Sequence, residues 1–249
     1  MDDDDLDIGL DVALFGEERV NHGGPAAPPV VWSCDDYPPI SVAVSDAPST
    51  ALMAHHVWQS SMTLSSVLAR KRLEHVGVKI DSESTVVELG AGAALPSLVS
   101  SLILNAKKVV ATDYPDPNVV LAMEKNAARN NCSANLKVMG YGWGEDPQPI
   151  LKEVGGHIDV ILAADTLWIA QYHDILLESL KRLMDERTFL VLAFMHHDHD
   201  GSTAGRFLQK LSESSFKLVH EETRDWRTSS GERSRLEYGD VLIKVFRKA

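Results

Sequence analysis

The chain has 249 residues, 44% of them hydrophobic, and a formal net charge of −12. This composition is typical of a globular protein with one sizeable α/β domain. The acidic excess argues against a nucleic-acid partner, whose phosphates need a basic face, and it suits a small molecule or a basic protein. No apolar run reaches the length of a membrane span and the N-terminus is acidic, so neither membrane association nor a signal peptide is expected.

Two cysteines, Cys34 and Cys132, are too few for a disulfide framework and match no metal spacing. We therefore expect two reduced thiols, no metal, and a reducing compartment, the cytoplasm or the nucleus. A monomer is expected.

Residues 1–50 are acidic at first and then rich in proline and glycine, which is typical of an irregular arm outside the core. The aspartate run Asp2 to Asp5 is interpreted as a solvated tail, with docking of a basic partner as the alternative. Residues 30–32 and 40–44 are strand-like, and they are expected to pair as a small β element covering the domain. The domain proper is predicted over residues 51–249.

Apolar residues recur at helical spacing from Met53 to Val76, which predicts a helix that Gly77 can close. Strands and helices alternate after it, which predicts a Rossmann-like seven-stranded sheet, mostly parallel, with helices on both faces. The predicted strands are 85–89, 107–112, 135–139, 158–163, 188–195, 215–220 and 240–247. The predicted helices are 94–104, 117–130, 172–184 and 203–213. Residues 222–239 join the last two strands without a helix, so the last strand is expected to be antiparallel.

A glycine loop, Gly90-Ala91-Gly92, follows the first of these strands, and Asp113 ends the second. Such a loop lets the backbone approach a nucleotide, and the acidic residue accepts ribose hydroxyls. Leu95 stands where a dinucleotide fingerprint needs a third small residue, so a ligand with ribose and base but no diphosphate is indicated. Glu88 would repel a pyrophosphate but can hold an ammonium. S-adenosylmethionine combines an adenosine, an amino-acid end and a sulfonium.

Four segments carry a resemblance to a known family. Residues 87–92 (Val-Glu-Leu-Gly-Ala-Gly) resemble motif I of the class I, seven-β-strand methyltransferases, and residues 112–117 resemble the segment after it. Residues 141–144 (Tyr-Gly-Trp-Gly) and 159–168 resemble later segments of methyltransferase family 16. The nearest likeness is to the fungal nicotinamide N-methyltransferase-like group, which includes enzymes that methylate the N-terminus and an adjacent lysine of translation elongation factor 1-alpha.

The resemblance covers about residues 50 to 247 and implies S-adenosylmethionine as the cofactor. It places the methionine end against the glycine loop, the ribose at the acidic residue, and the adenine between two aromatic rings. The cofactor contacts that it implies are Trp58, Glu88, Gly90, Ala91, Gly92, Asp113, Tyr114, Trp143 and Ala164.

Two residues after the fourth predicted core strand are candidates for the chemistry, Asp165 and Trp168. An amine must be neutral when it attacks a methyl group, and a carboxylate at the ligand-binding edge of the sheet can accept its proton. Asp165 is that candidate, with capping of the next turn as the alternative. Trp168 can form a wall for a cationic or planar substrate, with a core position as the alternative. Animal protein-lysine members carry tyrosine where this chain has Trp168, which leaves the substrate open.

Residues 196–200 (His-His-Asp-His-Asp) resemble a metal-binding cluster only in composition, because alternation in an extended segment scatters them over two faces. We expect a loop that lines the substrate entrance, with metal as the lesser alternative. His55 and His56 fit either a helix start or a pocket wall. Trp226, within the charged segment 222–239, is expected in a solvated hairpin loop, with contact to a protein substrate as the alternative.

The sequence thus predicts an S-adenosylmethionine-dependent N-methyltransferase. Its substrate is either a protein lysine or N-terminal amine, which a basic protein partner would supply, or a small amine such as nicotinamide. A non-catalytic subunit that binds the cofactor is an alternative of another class. A nicotinamide-dependent oxidoreductase is disfavoured by Leu95 and by the lack of a Tyr-x-x-x-Lys pair.

Overall fold

A computed structural model describes residues 28–35, 37–45, 54, 56–132, 134–198, 200–225 and 240–249. The strands are β1 Val30–Trp32, β2 Ile40–Val42, β3 Thr85–Leu89, β4 Lys108–Asp113, β5 Leu136–Gly140, β6 Val160–Ala164, β7 Phe189–Phe194, β8 Phe216–Arg224 and β9 Val241–Lys248. The α-helices are α1 Gln59–Ala69, α2 Leu95–Leu102, α3 Pro117–Arg129, α4 Gln148–Val154, α5 His173–Leu183 and α6 Ser202–Glu213. Over these residues, none of the helices has the length and apolar character that crossing a membrane requires.

Strands β3 to β9 form a seven-stranded sheet in the order β5-β4-β3-β6-β7-β9-β8. Strands β5, β4, β3, β6 and β7 pair in parallel, and β9 is antiparallel to both of its neighbours. This confirms the predicted fold, including the antiparallel last strand. The strand order reverses between β3 and β6, and ligands of such sheets bind at the carboxyl ends of the strands on either side of that point.

The central strands are continuous apolar runs because both faces of the sheet are covered. Along β3, Val86 packs into the cluster that includes α1, α2 and α3, whereas Val87 packs into the cluster that includes α4, α5 and α6. All five residues of β3 and of β6 are buried. The side chains available to a ligand are therefore those at the ends of these strands.

The single helix predicted from Met53 to Val76 is wrong. Helix α1 ends at Ala69, and Lys71 takes the left-handed backbone conformation (φ +55°), which an α-helix cannot continue through. A short 3₁₀ helix, Glu74–Val76, follows, and Gly77 closes it at φ +96°. Residues 46–53, where the predicted helix begins, lie outside the described residues. Helix α4 was not predicted at all.

The expectation that the whole of residues 1–50 lies outside the core is wrong for the described part. Strands β1 and β2 pair antiparallel as expected, and Trp32 and Ile40 are buried in the same cluster as α1 and α2. Asn126 of α3 and Asn130, the residue that follows this helix, satisfy the backbone of this segment: Asn126 bonds the N–H and C=O of Ala43, and Asn130 bonds those of Ser41. The aspartate run near the N-terminus and Trp226 lie outside the described residues.

Candidate active site

A cavity of about 560 Å³ opens at the carboxyl ends of β3, β4 and β6. Its lining includes every cofactor contact and both chemical candidates expected from the sequence, namely Trp58, Glu88, Gly90, Ala91, Gly92, Asp113, Tyr114, Trp143, Ala164, Asp165 and Trp168. The structure thus brings the predicted residues together, and their individual roles stay predictions.

The glycine loop after β3 is held against β4. The Ala91 N–H donates to the Thr112 carbonyl at 2.9 Å, and the Gly92 N–H donates to Asp113 Oδ2 at 2.7 Å. Gly90 has φ +67°, and a Cβ there would lie 2.9 Å from Cγ2 of Thr166. Only glycine fits this position without displacing its neighbour, so the loop backbone can approach a ligand closely.

Asp113 is a buried carboxylate with both oxygens fixed. Oδ2 accepts from the Gly92 N–H, and Oδ1 accepts from its neighbour, the Tyr114 N–H, at 2.7 Å. Burial raises the pKa of Asp113 to about 6, against the lowering effect of these two bonds. Each carboxylate oxygen has a further lone pair, so Asp113 can accept ribose hydroxyls while its position is held by the backbone.

Glu88, the fourth residue of β3, is fully buried. Its Oε2 accepts from the Ser97 N–H at 2.9 Å and from the Ser97 hydroxyl at 2.5 Å. Its Oε1 is also buried and has no hydrogen-bond partner among the described residues. Burial raises the pKa of Glu88 to about 8. An acceptor left unpaired in a buried position is costly, and an ammonium from a ligand would satisfy it.

Helix α5 positions Trp143, one of the aromatic residues that line the cavity. Trp143 is half-buried, whereas Tyr114 is 55% exposed. The Ser179 hydroxyl of α5 accepts from the Gly144 N–H at 2.7 Å and from the Tyr141 hydroxyl at 3.2 Å. The turn that carries Trp143 is therefore tied to the helix on both sides of the ring.

Asp165 follows β6 in the left-handed conformation (φ +57°), and its N–H donates to the Ala193 carbonyl at 2.8 Å. Its Oδ1 accepts from Nε2 of His197 at 2.9 Å. Its Oδ2 is buried without a hydrogen-bond partner among the described residues. Because neither oxygen accepts an N–H of the following turn in the described part of the chain, the alternative that Asp165 caps that turn is wrong.

Trp168 and Trp58 also line the cavity. Trp168 is half-buried and lines it, so the alternative of a core position is wrong. Trp58 precedes α1, and its ring lies nearly perpendicular to that of His197, at 84° and 5.8 Å between centroids. His56 lines the cavity beside Trp58, with ring centroids 5.3 Å apart. His55 lies outside the described residues.

We expected the histidine–aspartate cluster, residues 196–200, to line the substrate entrance. Its described residues are not grouped along the cavity, so this expectation is wrong. His196 is not among the described residues that form the cavity; its ring packs beside that of Phe194, 5.8 Å between centroids. The physical reason is the alternation of an extended segment, which turns His197 towards Asp165 and His196 away from it.

The two aspartates of that cluster cap a helix. Asp198 accepts from the Thr203 N–H at 2.7 Å, and Asp200 accepts from the Ser202 N–H at 2.9 Å, both in the first turn of α6. His199 lies outside the described residues. Across the part of the chain that the structure describes, no group of three or more His, Cys, Asp or Glu side chains is arranged to hold a metal ion.

Several residues that line the cavity were not predicted from the sequence. They include Thr166, Ile169, Tyr172 and Ile175, which follow Asp165 in the chain, and also Asp116 and Glu145. Tyr172 and Ile175 are 36% and 41% exposed. A large apolar residue on the polar side of a predicted amphipathic helix was the available signal for Ile175.

Among solved structures, the human methyltransferase 10 domain-containing protein superposes with a TM-score of 0.51 at 10% identity, covering 74% of this chain and 81% of that chain. The mitomycin 7-O-methyltransferase MmcR superposes with a TM-score of 0.51 at 12% identity, covering 76% of this chain and 56% of that chain. At such low identity these likenesses show the fold alone, and that fold is the one the sequence predicted.

Curated relatives include the protein N-terminal and lysine N-methyltransferase EFM7 of Gibberella zeae, which is 32% identical over 177 residues, covering 64% of this chain and 63% of the relative. The protein of the same name from Neurospora crassa is 34% identical over 157 residues, covering 56% of this chain and 53% of the relative. The chain therefore matches less than two thirds of the length of these relatives.

The family comparison covers more of the chain than these pairwise matches. Residues 40–214 match the model of methyltransferase family 16, described as lysine methyltransferase. This segment begins at β2 and runs through α6, so it contains every strand end that lines the cavity. It also confirms the family predicted from the sequence and supports the predicted cofactor. The chain therefore belongs to the lysine methyltransferase family, methyltransferase family 16.

Proposed function

We propose that the protein is an S-adenosylmethionine-dependent N-methyltransferase whose substrate is a protein amine, either a lysine or an N-terminal amino group. The observation that carries the proposal is a pair of buried carboxylate oxygens, Glu88 Oε1 and Asp165 Oδ2, that belong to residues lining one cavity and have no hydrogen-bond partner among the described residues. One suits the ammonium of the cofactor, and the other suits the amine of the substrate.

The residues of the cavity fit the cofactor. Glu88 would hold its ammonium, Asp113 its ribose hydroxyls, and the rings of Trp143 and Tyr114 would flank its adenine. The loop at Gly90 leaves room for a ligand against the backbone. When bound, S-adenosylmethionine supplies a methyl group on a positively charged sulfur, which is a good leaving group.

The chain itself has to position the amine and deal with its proton. Oδ2 of Asp165 can accept an N–H of the incoming ammonium and take up its proton, so that the nitrogen lone pair becomes available for in-line attack. Trp168 forms a wall of the same cavity, and an aromatic face attracts a cationic amine. Walls of this kind exclude water and restrict the approach of the nitrogen.

The rim of the cavity favours a protein over a small amine. Tyr172 and Ile175 expose apolar surface at the lining, and Asp116 and Glu145 add two acidic groups there. A segment of protein with a basic amine can contact both kinds of surface, and the net charge of −12 attracts a basic partner. The names of the curated relatives, protein N-terminal and lysine N-methyltransferases, support the same substrate class.

We further propose that the protein acts as a monomer in the cytoplasm or the nucleus. Cys34 and Cys132, both within the described residues, are buried free thiols, which is consistent with a reducing compartment.

The test is to incubate the purified protein and tritiated S-adenosylmethionine with an extract from cells that lack it. We expect label in a protein band, and translation elongation factor 1-alpha is the first candidate because of the sequence resemblance. Asp165→Ala serves as the control that binds the cofactor but transfers poorly. Label confined to the small-molecule fraction would replace the protein substrate by a small amine. No transfer to any component, despite cofactor binding, would favour a non-catalytic subunit.

A further inference from the structure

Among the described residues, the carboxylate of Asp165 is held by a side chain from the segment that follows the neighbouring strand, β7. His197 lies three residues after the end of β7, and its Nε2 is 2.9 Å from Asp165 Oδ1. The Asp165 side chain is buried and that of His197 is largely covered, with exposed fractions of 2% and 13%. The Trp58 ring, which also lines the cavity, packs against the imidazole. His197 therefore touches a carboxylate and an aromatic wall of the site without itself being a lining residue.

We propose that His197 is a positioning residue for methyl transfer. Its Nε2–H bond to Oδ1 fixes the rotation of the Asp165 carboxylate and leaves Oδ2, which has no hydrogen-bond partner among the described residues, as the oxygen for the substrate amine. This inference rests on the proposed N-methyltransferase function and adds a named residue to it. The family comparison does not assign any role to this histidine.

The electrostatics of the pair agree with the geometry. Burial lowers the pKa of His197, but the negative charge and hydrogen bond of Asp165 raise it, and the net direction is upward. Asp198 adds to the upward shift from the same segment. A histidine held in this way keeps a proton on Nε2 and remains a donor to Oδ1. The carboxylate is then one half of a pair whose geometry is set before the substrate arrives.

Removing the imidazole would leave neither oxygen of Asp165 with a hydrogen-bond partner among the described residues. A buried carboxylate in that state turns towards any available donor or picks up a proton, and in either case Oδ2 is no longer set for the amine. Among the predicted cofactor contacts, His197 packs against the Trp58 ring, whereas Glu88 and Asp113 are held by other groups, Ser97, Gly92 and Tyr114. The main loss is therefore expected in the transfer step, with a smaller effect on cofactor affinity through Trp58.

The test measures kcat, the KM for protein substrate and cofactor affinity for His197→Ala, His197→Gln and Asp165→Ala. His197→Ala is expected to lower kcat about 10- to 100-fold, which matches the loss of one partner of a buried charged group, and to leave cofactor affinity within about twofold. Glutamine offers an amide N–H near the position of Nε2, so His197→Gln should recover most of kcat. His196→Ala is the matched control and should keep the wild-type kcat.

A double-mutant cycle separates a positioning role from general damage. If His197 acts through Asp165, adding His197→Ala to Asp165→Ala should lower the residual rate by less than about twofold. Equal losses in both backgrounds, or a wild-type kcat in His197→Ala, would overturn the inference while leaving the proposed function intact. Absence of methyl transfer by the wild-type protein would instead overturn the proposed function and the inference together.

Discussion

The backbone N–H of Gly92 donates a 2.7 Å hydrogen bond to Oδ2 of Asp113. Gly92 lies in the loop after β3 and Asp113 is the last residue of β4, so this bond joins the glycine loop to the acidic end of β4. The loop and the proposed ribose acceptor are thus locked together before a ligand binds. Such preorganisation lowers the entropic cost of binding.

Replacing Asp113 by alanine should weaken S-adenosylmethionine binding at least about tenfold, because it removes the ribose acceptor and frees the loop. Isothermal calorimetry measures the affinity directly. Asp174→Ala is the control, since Asp174 is exposed and pairs with Lys210 on the surface. Unchanged affinity in Asp113→Ala would refute the assignment.

Cofactor binding should release a proton through Glu88. Its pKa of about 8 means that the free protein holds this carboxyl mostly protonated at pH 7, whereas an ammonium partner favours the ionised form. Calorimetry at pH 7 in buffers of different ionisation enthalpy should therefore show release of about one proton. The Glu88→Gln variant should bind more weakly and release none. An equal release in that variant would show that another group ionises.

The same substitution should stabilise the protein without ligand at alkaline pH. Because the folded pKa of Glu88 lies above its ordinary 4.5, the uncharged carboxyl favours the fold at low pH, and that advantage is lost as the pH rises from 4.5 towards 8. Glutamine cannot ionise, so the melting temperature of Glu88→Gln should exceed that of the wild type by a few degrees at pH 8. Equal melting temperatures would contradict the shifted pKa.

Gly90→Ala should abolish most cofactor binding, because the new methyl group would lie 2.9 Å from Cγ2 of Thr166 and 3.3 Å from the Trp143 ring. Gly155→Ala is a matched control, with φ +81° and no atom within 4 Å of the added Cβ. Both variants strain the backbone by about 1 kcal/mol, so similar losses of thermal stability are expected from that cause. If Gly90→Ala and Gly155→Ala bind the cofactor equally well, the cofactor does not need to approach the backbone closely at Gly90.

Trp168→Ala should raise the KM for the protein substrate several-fold and leave cofactor affinity unchanged. The ring lines the cavity beside Asp165 but is not among the predicted cofactor contacts, and a cation–π contact is worth about 0.5–2 kcal/mol. Trp168→Phe keeps an aromatic face, so its KM for the protein substrate should lie between the values of the wild type and of Trp168→Ala. A loss of cofactor affinity in Trp168→Ala would place this ring at the cofactor instead.

The sheet and the cofactor side of the site were predictable because they depend on local pattern. The apolar runs that end at Leu89 and Asp113 identify strands buried on both faces, and a parallel sheet brings their carboxyl ends together. Gly90 directly follows β3 and Asp113 is the last residue of β4, so their position in the fold follows from their position in the chain.

Contacts between distant segments were not predictable in the same way. The Asp165–His197 bond joins the ends of two adjacent strands, and nothing in the sequence near His197 distinguishes it from His196. The hairpin of β1 and β2 enters the core because Asn126 and Asn130, on and directly after a helix far along the chain, satisfy its backbone. The end of the helix at Ala69 depends on Lys71, which takes the left-handed conformation. Glycine or asparagine at this position would have indicated that conformation in the sequence, but a lysine does not.

The most direct measurement is tandem mass spectrometry of purified elongation factor 1-alpha after incubation with S-adenosylmethionine and either the wild-type protein or Asp165→Ala. Wild-type protein should place methyl groups on the N-terminal amine or a lysine. The variant should do so about 100-fold or more slowly, because it lacks the acceptor of the amine proton. The central claim would be contradicted if calorimetry showed the cofactor bound to the wild-type protein while every amine of this factor, and of the other proteins in the extract, stayed unmodified.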